Sequence, residues 1–104
     1  MTYNEREKIY KEIWKFCEST WLTKGKDYAT DEDVVANFKG SGLKYNITPE
    51  KALMVLFDKH LRAIDSYINR GELKGEGIES KILDCINYLG LLLCLIREKQ
   101  WIKK

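Results

Sequence analysis

The chain has 104 residues, 44% of them hydrophobic and 33% charged, which suits one domain over residues 1–104 rather than two. Its 18 basic and 16 acidic residues nearly balance at a net charge of +2 and form no block of like charge, so duplex nucleic acid is not an expected partner. The opening MTYNEREKIYKE is too charged for a secretory signal, and the longest apolar run, Leu91 to Ile96, is far short of the ~20 residues that cross a bilayer, so a cytoplasmic protein with no membrane partner is expected.

Helical patterning dominates, and no segment alternates apolar and polar residues for long, so the expected fold is all-α. A first helix starts near Thr2 or Asn4, where Thr2-x-x-Glu5 and Asn4-x-x-Glu7 both spell a capping box. Tyr10, Ile13, Trp14, Cys17 and Trp21 then fall on one face, which predicts packing on a core. KGKDYATDEDVVANFKGSG interrupts the pattern. A short helix through Val34 and Phe38, ending at Gly40, is expected inside it.

Thr48-Pro49-Glu50 is a strong start signal: a capping threonine, proline at the first helical position, then an acid. That helix is expected to run to Arg70 and stop at Gly71, with an apolar stripe of Leu53, Phe57, Leu61, Ile64 and Ile68. GELKGEG reads as a loop, and a last helix covers about Ile78 to Lys99. The expectation is a small bundle of three long helices and one short one. Its modest size and apolar last helix favour a homo-oligomer.

Cys17, Cys85 and Cys94 are odd in number and contain no C-x-x-C, so they read as core thiols of a reducing compartment. With His60 alone, a Cys/His zinc site is not expected. The serines lack the setting of an acyl-transfer nucleophile. Chemistry must therefore come from polar helix edges and lysine-glycine loops.

On the last helix Ser80, Asp84, Asn87 and Tyr88 line one edge, while Leu83, Ile86, Leu89, Leu93 and Ile96 lie largely on the other side. An ionised carboxylate in such a helix must face water, a cation or a donor. On the helix before it, Asp58, Arg62 and Asp65 share a face, and Lys59 adds a cation. Arg62 falls between Leu61 and Ile64, near the apolar seam; His60 reads as an exposed or half-buried helix residue rather than a ligand. Lys24, Lys26, Asp27 and Tyr28 form a loop in which lysines can meet phosphate and tyrosine can stack on a base.

Three stretches together, KGKDY…ANF, LFDKHLRAID and GIESKILDCINYLGLLL, resemble the short helical phage and bacterial proteins called nucleotide-modification-associated domain 1. These are distantly similar to the MazG-like all-α NTP pyrophosphohydrolases. The resemblance spans about residues 24 to 96. It implies an oligomeric bundle in which carboxylates hold Mg²⁺ and Mg²⁺ clamps a nucleoside triphosphate.

By position, Asp58, Glu79 and Asp84 would be the metal ligands. Lys24, Lys26, Lys59 and Arg62 would meet phosphates, and Asn87 and Tyr88 would meet the nucleoside or brace Asp84. The chain departs from that pattern. Its first helix has no E-x-x-E, Ser80 stands where an acid is common, and Glu79 and Asp84 lie about 140° apart around the helix. Two further readings stay open. One is a non-catalytic protein that sequesters a nucleotide, such as a phage anti-defence sponge for cyclic immune signals. The other is a helical interaction module whose polar edge braces its helices.

Overall fold

A computed structural model describes residues 1–23, 33–71 and 77–102. It contains α1 (Tyr3–Thr23), α2 (Ala36–Tyr45), α3 (Pro49–Arg70) and α4 (Ile78–Ile102), with no strand among the described residues. Among the described residues the expected all-α class is therefore found, as three long helices and one short one.

The start signals act as their chemistry dictates. Thr2 and Glu5 form a reciprocal capping box: the Thr2 amide donates to Glu5 Oε2 at 2.9 Å and the Glu5 amide donates to Thr2 Oγ1 at 3.2 Å. Thr48 Oγ1 accepts the Lys51 amide at 3.2 Å, and Pro49 opens α3 without sacrificing a donor. Gly71 ends α3 in the left-handed region at φ 73°, its amide donating to the Tyr67 carbonyl at 2.7 Å.

α2 does not end at Gly40 as expected; it continues to Tyr45 and is capped by Asn46 at φ 57°. The reason lies at Gly42, which is buried and whose carbonyl accepts the Ile47 amide at 2.9 Å. A Cβ at Gly42 would stand 2.7 Å from the Ile47 carbonyl oxygen and 3.2 Å from the Pro49 nitrogen. Gly42 is thus a close-approach device for the α2–α3 corner, and Gly40, with open space around it, is not a stop signal.

The core joins α2, α3 and α4 around Val35, Phe38, Leu53, Phe57, Cys85 and Leu95, with Tyr88, Leu91 and Leu92 packed against it. α3 and α4 share the largest interface, α2 lies along α3, and α1 meets α4 over a smaller one. Lys39 ties the layers together, its Nζ lying 2.6 Å from both Asp33 Oδ2 and Glu98 Oε1. Asp33 also accepts the Val35 amide at 3.0 Å. The Lys39 hydrogen bond, then the Val35 amide, hold the Asp33 carboxyl below its ordinary value; bonds to Asp33 and then Glu98 push the Lys39 ammonium above its own.

Several faces sit differently from the expectation. In α1 only Cys17 of the aromatic stripe is buried, while Tyr10 and Trp14 remain exposed, because α1 meets the body near its C-terminal end. In α3 the buried face is rotated toward Ala52, Leu56 and His60, leaving Leu61 and Ile68 outside. In α4 the core side is that of Cys85, Tyr88 and Leu95; Leu89, Leu93 and Ile96 face outward. Of the three thiols expected in the core, Cys17 and Cys85 are buried and Cys94 is exposed. Burial pushes both inner thiols up, which keeps them protonated and unreactive at neutral pH.

Candidate functional site on the polar margin of the last helix

Asp84, Asn87 and Tyr88 project from one side of α4, as their spacing requires, and each meets a different neighbour. Asp84 Oδ2 lies 3.8 Å from His60 Nδ1 on α3. That is too long for a hydrogen bond and close enough for attraction if the imidazole is charged. Asn87 Oδ1 accepts the indole N–H of Trp21 on α1 at 3.0 Å. Tyr88 packs edge-on to Phe38 and Phe57, with ring centroids 6.5 and 6.2 Å away, and lies 5.1 Å from the His60 ring. Three helices therefore converge on this margin.

His60 is half-buried, and its Nδ1 has no hydrogen-bond partner among the described residues. A buried ring nitrogen left in that state is costly, so it favours any water or ligand atom that can reach it. Asn87 has spent its carbonyl on Trp21. What it can still offer are the two N–H donors of its amide, which suit an acceptor such as a phosphate oxygen or a base carbonyl.

The remaining sequence-derived residues lie elsewhere. Asp84 faces His60 rather than Asp58 or Arg62. Arg62 does not border the core seam: its guanidinium binds Asp58 Oδ2 at 2.8 Å on the outer face of α3, where the side chains are 81% and 52% exposed. Such an i,i+4 pair contributes only about 0.3–0.5 kcal/mol. Lys59 is exposed on α3, and Glu79 is exposed in the first turn of α4. Asp58, Glu79 and Asp84 thus have separate surroundings, and among the described residues no three His, Cys, Asp or Glu side chains gather where they could hold a metal ion. Lys24, Lys26, Asp27 and Tyr28 lie outside the described residues.

Two residues of the margin were not assigned to it from the sequence, and each carried a signal. Trp21 was placed on a packing stripe, yet a half-exposed indole needs a partner for its N–H. His60 sits three residues after Phe57 and four before Ile64, which puts it on their face of α3. A surface concavity of about 640 Å³ lies elsewhere. It runs along Tyr3, Arg6, Tyr10 and Trp14 of α1 alone, an open helix flank rather than an enclosed site.

No family model matches the chain, and no curated protein and no solved structure matches it. The likeness to nucleotide-modification-associated domain 1 stays a likeness. Among the described residues no helix is long and apolar enough to cross a membrane.

Proposed function

We propose that the protein binds a nucleotide at the polar margin of α4 and holds it without cleaving it. The observation that carries this reading is the convergence of His60, Asp84 and Asn87 from two helices beside Trp21 and Tyr88, with a buried His60 nitrogen that has no hydrogen-bond partner among the described residues. Donors beside aromatic rings are what recognition of a base or phosphate requires. Lys59 is the nearest cation in sequence to His60, and the Lys24–Tyr28 segment follows α1 directly after the turn that bears Trp21. Sequestration is preferred to hydrolysis because the three candidate carboxylates have separate neighbours: Arg62 for Asp58, His60 for Asp84, and an exposed setting for Glu79. In the hydrolytic alternative, Mg²⁺ on those acids would clamp a nucleoside triphosphate.

A thermal-shift panel of linear and cyclic nucleotides, each with and without Mg²⁺, tests the reading. A ligand at a hundred times its Kd stabilises the folded state by about 2.7 kcal/mol, a rise of several degrees in a domain of this size. The rise should vanish in Asn87→Ala, and the ligand should be recovered intact. Pyrophosphate release in the presence of Mg²⁺ would replace sequestration with hydrolysis.

The second reading, an interaction module with a braced edge, is favoured by the Trp21–Asn87 bond and by Tyr88 lying among core aromatics. It would stand if no member of the panel raised the melting temperature.

A further inference from the structure

The most apolar helix of the chain is packed on one side only. Ile82, Leu89, Leu93 and Ile96 lie along the outer side of α4, each between 41% and 54% exposed. Their spacing of seven, four and three residues is that of a coiled-coil seam, which aligns such side chains toward a partner helix. Apolar residues scattered singly over a surface need no explanation, but a four-turn row on one helix does. Among the described residues nothing covers the row, since α3 and α2 occupy the Cys85, Tyr88 and Leu95 side.

We propose that a second copy of this chain covers it, through an antiparallel α4–α4′ contact about a two-fold axis near Leu89. Three observations select that occupant and that orientation. First, the row runs four turns, from Ile82 to Ile96, which is long enough for a second helix of the same kind to lie along it.

Second, the row is symmetric: Ile82 and Ile96 stand seven residues either side of Leu89, so antiparallel pairing sets Ile82 against the partner's Ile96 and Leu89 against its own copy. Gly90, beside that centre, is exposed with nothing within 4 Å of a Cβ built on it. A glycine in mid-helix costs about 1 kcal/mol relative to alanine, and here, about 100° round from Leu89, it leaves one flank of the row without a side chain.

Third, the exposed Glu79 and Arg97 lie five turns apart on one flank of the row. Antiparallel packing brings the same flank of both copies together and sets Glu79 beside the partner's Arg97 at both ends of the contact, whereas parallel packing puts the two copies of this flank on opposite sides of the seam and pairs neither. The contact uses none of the margin residues and stands whether or not a nucleotide binds.

Mass measurement by light scattering after gel filtration tests the assembly, and cross-linking tests its direction. The protein should elute at twice 12.2 kDa, and Leu89→Glu should halve that mass while leaving the helical circular dichroism intact, since Leu89 is 54% exposed and lies outside the buried core. Glu79→Arg should weaken the dimer and the double variant Glu79→Arg/Arg97→Glu restore it, a recovery that general damage to the fold would not give. In a Cys94→Ser background, Leu89→Cys should form an inter-chain disulfide and Glu79→Cys alone should not. A wild-type mass of 12.2 kDa, a dimer indifferent to Leu89→Glu, or a self-cross-link at position 79 would each overturn the proposal.

Discussion

Two glycines two residues apart show how little composition says about a residue's work. Gly40 is exposed on α2 with open space where a Cβ would go, while Gly42 is pressed against the turn that enters α3. Gly40→Ala should stabilise the protein by about 0.5–1 kcal/mol through backbone entropy alone. Gly42→Ala should destabilise it by about 1–3 kcal/mol, because the opposing atoms are backbone and cannot swing aside. Urea titration of the two variants should give midpoints displaced in opposite directions; equal shifts would remove the close-approach account. The sequence displayed both glycines and suggested a stop at the first. What it could not display was the distance from position 42 to residues 47–49, a tertiary quantity.

At the scale of elements, ends were legible and faces only partly so. The α1 capping box and the α3 threonine, proline and final glycine are local devices, satisfied by backbone groups within a few residues, and they fall where the sequence places them. Faces depend on which neighbour arrives, and α4 is apolar on two sides. Its polar margin could therefore be read from spacing, but not which apolar side meets α3. The same limit explains Arg62, assigned to the core seam by its neighbours in sequence and found on the outer face.

The tie between α2 and α4 makes a pH prediction at this scale. Asp33 has a folded value below its ordinary 3.8, so its contribution is complete above about pH 4 and is lost as pH falls through the folded value. Lys39 has a folded value above its ordinary 10.5, so its contribution is complete below that pH and is lost as pH rises through the folded value. Lys39→Met should accordingly lower the melting temperature between about pH 4 and pH 10, and the gap to wild type should narrow on acidification below that window. A gap that stays constant to pH 2 would mean the tie contributes nothing through charge.

The whole molecule measures 45 × 29 × 25 Å with a radius of gyration of 15.8 Å, against about 13 Å for a compact domain of its length. Part of that length is α1, whose first three turns are exposed all round. A helical segment of that length is marginal in water without packing. Amides of residues 5–12 should therefore exchange with solvent orders of magnitude faster than those of the α3–α4 core, read by hydrogen exchange and mass spectrometry. Comparable protection would mean that α1 is held along its whole length, for instance by another copy, and would move the interface proposed on α4 to α1.

Cys94 gains a use from this arrangement. It is exposed on α4 while Cys17 and Cys85 are closed off, so among the three thiols one alone accepts a probe in the folded protein. In the antiparallel pair it recurs five residues beyond Leu89 on each strand of the contact, and two spin labels there would form a built-in ruler. Their separation would report the angle at which the helices cross, and any widening on adding a nucleotide would show whether an occupied margin is felt on the opposite side of the same helix.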